Sequence, residues 1–397
     1  MAVVKEAVIA GAGIAGLAAG ITLARNGIAA TVYEAAPRSG LEGSGLTISA
    51  IGMRAIRDLG LGDQVMALGA GSSETIIADA TGHQLDHIAT PPLAGAGLPA
   101  MGGIMRAAFH DLLIKTAQGE GVAIEFGNGI TRFEQSDQRV QIQLADRRRV
   151  GTELLVGADG IYSKVRELAF PDAPRPQPTG QRVWRVLIHR HSDYISHDHG
   201  MWYGPVVKAG ITPLSQTDAY MFIVENSDDV VRPPRDEWPL IVKRLLADFS
   251  DVIGWVRDTQ VNDPARIDCR PLHAILVPLP WYRGRVVLIG DTIHATTPHM
   301  ASGGAMAIED AIVLGDLLAR EHDLELALRT FGEVRWERCR LVNENSLQLG
   351  EWEKDPGDPN ADPGRLIGES LALLAQPYRT FATNSAPGSK ESVASTS

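Results

Sequence analysis

The sequence has 397 residues, 44% hydrophobic and 21% charged, with a formal net charge of −11; this length suits two or three structural units, and the composition excludes fibrous and disordered classes. The acidic balance speaks against a nucleic-acid partner, because the one dense basic run, Arg147-Arg148-Arg149, reads as a solvated turn between two strand-like segments. No stretch has the length and apolarity of a membrane span, no targeting segment is recognisable, and Cys269 and Cys339 lack both disulfide numbers and metal-ligand spacing. A cytoplasmic protein with no membrane association and no bound metal is therefore expected.

In chain order, Ala7-Val8-Ile9-Ala10 reads as a short buried strand that runs into Gly11-Ala12-Gly13-Ile14-Ala15-Gly16. Leu17, Ile21 and Leu23 follow at near-helical spacing, Gly27 stops the helix, and Thr31-Val32-Tyr33 forms a second strand ending in Glu34. The first 35 residues thus make a βαβ unit. Short helices are predicted over 51–61, ended by Gly60, and over 106–118, with Phe109, Leu112, Leu113 and Ala117 apolar. Leu154-Leu155-Val156 is a buried strand ahead of Gly157-Ala158-Asp159-Gly160. Alternation over 182–189 and 219–224 indicates an antiparallel sheet. Val286-Val287-Leu288-Ile289 is another buried strand, followed by Gly290-Asp291; a helix over 305–320 and a longer one over 323–350 come next, then a loop over 355–364 and a disordered tail over 387–397.

The glycine turn at Gly11 has the full context of a dinucleotide fingerprint: strand before, helix after, acidic residue at the end of the next strand. Gly11 permits the tight turn, Gly13 lets the backbone approach a pyrophosphate, and Gly16 lets helix and strand pack closely, while the helix N-terminus offers free N–H groups to the anion. Glu34 would accept hydrogen bonds from ribose hydroxyls and disfavours a 2′-phosphate, so FAD or NAD is expected here. Gly95-Ala96-Gly97-Leu98-Pro99-Ala100 has similar spacing, but it follows no strand and Pro99 spoils the helix start.

Two further segments, Gly157-Ala158-Asp159-Gly160-Ile161-Tyr162-Ser163-Lys164-Val165-Arg166 and Gly290-Asp291-Thr292-Ile293-His294-Ala295-Thr296-Thr297-Pro298, resemble motifs of the single-component FAD-dependent aromatic hydroxylases, a family that includes hydroxybenzoate, salicylate and 6-hydroxynicotinate hydroxylases. The resemblance covers roughly residues 5–350. It implies an α/β fold: a Rossmann-like FAD-binding domain of glutathione-reductase type, with an inserted, mainly antiparallel substrate sheet and a helical C-terminal part. The boundaries expected are 1–72, 101–178 and 265–345 for the FAD domain, 73–100 and 179–264 for the substrate domain, and 346–386 for the C-terminal helices. It also implies FAD contacts from Gly11, Gly13, Gly16, Glu34, Ala35, Thr47, Arg106, Ile130, Asp159, Asp291, Gly303 and Gly304. For Asp159 and Asp291, capping of the following turn is the alternative reading. Where the family has Gly-Gln-Gly beside the flavin ring, this chain has Ala301-Ser302-Gly303.

The reaction implied is reduction of FAD by NADH or NADPH, addition of O₂ to give a C4a-hydroperoxide, and transfer of a hydroxyl group to a small phenol, hydroxybenzoate or hydroxypyridine. The nicotinamide partner would bind transiently, since no second dinucleotide fold is present, and the protein would be a monomer or homodimer. Arg185, with Lys208, could attract a carboxylate or phenolate, or could be a plain surface charge. The histidine and tyrosine of 6-hydroxynicotinate hydroxylases align with Thr47 and Thr212, leaving His299, His294, Tyr203 and Tyr220 as candidate bases, with His299 preferred. Other readings are a flavin halogenase, whose W-x-W-x-I-P motif is missing, a flavoprotein epoxidase or reductase, and a non-enzymatic FAD-binding protein.

Overall fold

The computed structural model describes residues 2–37, 44–190 and 199–379; the tail expected over 387–397 lies outside the described residues. At the centre is the strand Glu6–Ala10, parallel to Ala29–Glu34 on one side and to Leu154–Gly157 on the other. The full sheet runs Tyr282–Arg283, Val286–Leu288, Leu154–Gly157, Glu6–Ala10, Ala29–Glu34, Ala123–Phe126, and every neighbour pair is parallel except the outermost one at Tyr282–Arg283. Apolar residues such as Ile9, Leu155, Val156 and Val287 lie fully buried along these strands, as expected when helices cover both faces of a parallel sheet. The chain first moves outward from Glu6–Ala10 to one side and later returns to its other side. Strand order therefore reverses between Glu6–Ala10 and Leu154–Gly157, and the crevice beyond their carboxyl ends is where a doubly wound sheet takes its ligand.

A second sheet of seven strands runs Ile267–Ala274, Gln177–His189, Asp218–Asn226, Lys208–Pro213, His199–Tyr203, Glu74–Asp79, Gln84–Ala89. All pairs are antiparallel except His199–Tyr203 with Glu74–Asp79. Side chains alternate across it: Trp184, Val186, Ala209, Ile211, Met221 and Ile223 enter a core shared with Val242, Ile253 and Val256, on the helices Trp238–Leu245 and Asp251–Thr259. The period of two sends Arg185, Lys208, Gly210, Thr212, Tyr220 and Phe222 to the opposite face, where Thr212 and Tyr220 meet the strands Gly45–Ile48 and Met101–Met105. Two three-stranded sheets complete the fold, one of them Gly45–Ile48, Met101–Met105 and Ala70–Ser72. In the other, Arg147 takes φ 72 in the turn between Val140–Leu144 and Arg149–Thr152, matching the solvated turn expected of that basic run.

The Gly303–Arg320 helix is buried between Ile14–Arg25 and the 31-residue helix Leu324–Lys354. It carries Glu309 and Asp310 into the interior, both fully buried, and three arginines meet them. Arg335 contacts Glu309 at 2.8 Å and Asp310 at 2.8 Å, Arg338 contacts Glu309 at 2.7 Å, and Arg54 reaches Glu309 at 3.3 Å. Arg54 and Arg338 also donate to the Leu374 carbonyl at 2.9 and 2.6 Å, which fixes the end of the Pro363–Ala375 helix. Burial would raise the Asp310 carboxyl, but the charges of His294 and Arg335 hold it down to about 2. Because that value lies below the ordinary 3.8, Asp310 contributes stability that is present above about pH 4 and lost as pH falls toward 2. Asp310→Asn should therefore lower unfolding free energy at neutral pH by about 3–5 kcal/mol in denaturant titrations. It should also flatten the acid limb of the stability profile; an unchanged limb would disprove this assignment.

Candidate functional site

The turn after Glu6–Ala10 shows what each glycine does. Gly11 has φ +99, and a Cβ there would lie 2.5 Å from the Ala158 carbonyl oxygen; one on Gly16 would lie 1.9 Å from the Gly11 oxygen. Those two positions are required by chain packing. A Cβ on Gly13 meets nothing within 4 Å, so its bareness opens the turn outward, toward the crevice. Glu34 accepts hydrogen bonds from the backbone N–H groups of Ala12 at 2.7 Å and Ala36 at 2.8 Å, which hold its carboxylate beside the turn. Ala35 packs against Gly129, where a Cβ would come within 2.7 Å of it, and Ile130 is buried next along the chain.

Arg106 opens the helix Arg106–Gly119 and is half-buried. Among the described residues its guanidinium has no hydrogen bond and no carboxylate at ion-pair distance. Burial, with Arg270 nearby, depresses its pKa, and Asp291 opposes that shift. A sequestered cation without a partner calls for an anion. Asp291 is exposed at the start of a short turn of helix whose preceding residue, Gly290, has φ 64. Asp159 accepts from the backbone N–H groups of Lys164 at 2.7 Å and Val165 at 3.0 Å and from the hydroxyl of Ser163, the N-cap of the Lys164–Ala169 helix. Gly303 and Gly304 begin the 18-residue helix with open room, since the nearest atoms to a Cβ on either lie at 3.7 and 3.8 Å. The positive end of that helix is thereby accessible to a ligand carrying negative charge.

The wall opposite is the seven-stranded sheet. It comes close because Gly45 and Gly103 lack side chains: a Cβ on Gly45 would lie 2.0 Å from the Tyr220 ring, and one on Gly103 2.6 Å from the Thr212 side chain. Here the Tyr220 hydroxyl bonds Thr47, Thr47 bonds Thr212 at 2.9 Å, and Thr212 bonds His199 Nδ1 at 2.8 Å. Burial lowers the His199 pKa to about 4, so the chain of hydroxyls ends on a neutral imidazole. A cavity of about 10 Å³ beside Thr47, Ser72, His199 and Thr212 has room for about one water. Thr47 thus enters the site through this chain.

The expected catalytic groups take different places. Arg185 faces the cleft with Nη1 3.8 Å from Asp268, and burial depresses its pKa. Tyr203 stands at the rim, 48% exposed. His299 has both ring nitrogens engaged, Nδ1 with Thr297 at 2.8 Å and Nε2 with Glu353 at 3.1 Å. Burial pushes its pKa down against the pull of Glu353. His294 is sealed inside, 2.6 Å from Asp310. Asp310, His294 and Cys339 converge, but Arg335 supplies the cation there. Sequence reasoning missed His199 and Glu353, since nothing local marks either one.

The model of the FAD binding domain family matches residues 5–327. The chain belongs to the single-component FAD aromatic hydroxylases. It is similar to the aurachin C monooxygenase/isomerase of Stigmatella aurantiaca, 30% identical over 87% of this chain and 89% of that protein. It is also 30% identical to 3-hydroxybenzoate 6-hydroxylase 1 of Aquipseudomonas alcaligenes, over 87% of this chain and 88% of the relative. Klebsiella pneumoniae HpxO complexed with FAD and uric acid shares the fold with a TM-score of 0.78 at 24% identity, covering 93% of this chain and 96% of that one. FAD binding and an oxidoreductase activity follow from the family. No described helix is long and apolar enough to cross a membrane.

The turn yields a test that separates folding from cofactor binding. Because Gly13 is extended, with φ −75 and ψ −174, Gly13→Ala should leave apoprotein stability within about 0.5 kcal/mol of the parent. Its FAD dissociation constant, measured by fluorescence quenching, should rise at least roughly tenfold as the methyl group blocks the pyrophosphate.

Proposed function

We propose that this protein hydroxylates a small aromatic or N-heteroaromatic ring, using NADH or NADPH as reductant and O₂ as oxidant. The observation that carries this reading is the apposition of two surfaces: the Gly11 turn, Arg106 and the Gly303 helix start on one side, and the hydroxyl-lined sheet face with Tyr220 and Phe222 on the other. Glu34, Arg106, Asp291, Gly303 and Gly304 would hold FAD, with Ala35 and Ile130 bordering its adenosine end. When bound, FAD supplies the transfer of reducing equivalents and the activation of O₂. The chain's own contribution is positional and electrostatic. The N-terminus of Gly303–Arg320 would stabilise negative charge on the reduced cofactor, and the sheet would exclude water from the face where the ring lies. Arg185 adds positive charge to the same side.

Activation of a phenol or hydroxypyridine needs a route for its proton. Tyr220 is suited to relay it: its hydroxyl would take the substrate proton while giving its own to Thr47, and Thr212 would release one to solvent through the water-sized cavity beside it, His199 staying neutral. Asp159, bound to its helix cap, would act by shaping the loop rather than by contacting the reacting atoms.

Purified holoprotein mixed with NADH or NADPH in a stopped-flow instrument should show slow flavin reduction alone and faster reduction with one class in a panel of phenols, hydroxypyridines and hydroxyquinolines. Product formed under ¹⁸O₂ should carry one labelled atom. If no aromatic compound alters NAD(P)H oxidation, the hydroxylase reading fails. Tyr220→Phe should retain FAD yet lose about 10²-fold in hydroxylation; full activity in that variant would remove Tyr220 from the proton route.

A further inference from the structure

The sheet face that closes the cleft carries three cations, Arg185, Arg270 and Lys208: Asp268 is shared by the two arginines, and Lys208 has a carboxylate of its own. Lys208 forms a salt bridge with Glu353, near the end of the Leu324–Lys354 helix, and only 12% of the Lys208 side chain is exposed. The other oxygen of Glu353 takes His299 Nε2 at 3.1 Å, so both of its oxygens are used. This arrangement is anchored from more than one side: the Asn226 amide donates to the Glu353 carbonyl at 3.2 Å, and Lys354 Nζ donates to the Thr179 carbonyl at 3.0 Å. Arg185 is the register partner of Asp268 on the next strand. Asp268 also holds Arg270 at 2.9 Å, and Arg106 lies near enough to act on Arg185. Between the two ion pairs the Phe222 ring lies over Gly210, with the Tyr220 and Thr47 hydroxyls at one end.

We infer that the ring recognised in this cleft carries no carboxylate: it is an uncharged hydroxy-aromatic or hydroxy-N-heteroaromatic compound, and Glu353 enforces that choice by occupying Lys208. This inference rests on the hydroxylase reading above and names its substrate class. A substrate carboxylate seeking Lys208 would have to displace Glu353, leaving that group beside His299 without a cation in a poorly solvated place. A neutral ring meets no such cost, and its hydroxyl or ring N–H can reach the Tyr220 end of the wall.

The test uses FAD-loaded enzyme and matched pairs differing only in a carboxylate: 3-hydroxybenzamide against 3-hydroxybenzoate, and 4-hydroxyquinoline against 4-hydroxyquinoline-2-carboxylate. Dissociation constants come from the perturbation of the flavin spectrum, alongside NAD(P)H oxidation rates. The neutral member of a pair should bind at least tenfold more tightly in the parent enzyme. Glu353→Gln should shrink or reverse that ratio, and Lys208→Met, which leaves Glu353 as a free anion, should widen it; FAD content and thermal midpoint confirm that both variants are folded. Tighter binding of carboxylates by the parent enzyme would overturn the inference while leaving the hydroxylase reading intact. Equal effects of Glu353→Gln on both members of a pair would reduce Glu353 to a structural latch and overturn it as well. If no ring, neutral or charged, perturbs the flavin or NAD(P)H oxidation, the hydroxylase reading falls and takes this inference with it.

Discussion

One oxygen of Asp310 accepts the Gly290 backbone N–H at 2.9 Å and meets the His294 ring at 2.6 Å, while Arg335 holds the other at 2.8 Å. Charges this deeply buried are tolerated only when fully paired, since an orphaned one costs several kcal/mol. The requirement is structural in its reach. It forces the Gly290 turn, the Gly303–Arg320 helix and the Leu324–Lys354 helix to be assembled as one piece, and Glu309 brings in the Pro363–Ala375 helix through the arginines it shares. The Gly290 turn and the Gly303 helix start are therefore set relative to each other by ion pairs lying behind them. A site built this way holds its dipoles in place before any ligand arrives, which is what electrostatic stabilisation of developing charge demands.

The second sheet is held against this platform at separate points of different chemistry. At one, hydroxyl groups join Tyr220, Thr47 and Thr212 across a contact that Gly45 and Gly103 make possible. At the other, Lys208, Glu353 and His299 form an ionic contact. The span between them is the wall of the cleft. Its chemistry is dictated by the strand period of two, which sends the bulky apolar residues of the same strands into the other core.

Legibility in the sequence followed the range of the interactions. The Gly11 turn could be read because strand, glycines, helix and Glu34 all lie within 35 residues and each has a local physical reason. The Gly290 and Gly303 turns were singled out by resemblance to family motifs, whereas the antiparallel character of 182–189 and 219–224, which proved to be register partners, was legible from alternation. Asp159 was ambiguous because a carboxylate after a buried strand serves equally as ligand or cap, and only the Lys164 and Val165 hydrogen bonds show which donors it takes. His299 looked like a base because it is close in sequence to the flavin-facing turn, but its partner Glu353 is 54 residues away. Lys208 and Glu353 are separated by 145 positions, beyond any periodicity argument. The helices over 238–259 also escaped notice; packing against Trp184 and its neighbours explains them better than local propensity does.

Thr47 and Thr212, read from the sequence as standing where a histidine and a tyrosine were expected, have such a pair close by. Tyr220 and His199 lie one hydrogen bond beyond the two threonines, so the same two kinds of group are present but separated by a hydroxyl bridge. Each threonine hydroxyl can donate and accept, and His199, lowered to about 4 by burial, stays neutral at physiological pH and can do either through its ring nitrogens. The chain can therefore reverse direction without creating a buried charge. A carboxylate or a charged histidine at either threonine position would fix one polarity and would bring back the ionic character that Glu353 removes from the other end of the wall. The neutrality of the hydroxyl chain and the self-neutralised Lys208 thus express the same constraint: these two contacts carry hydrogen-bonding groups without an unpaired charge.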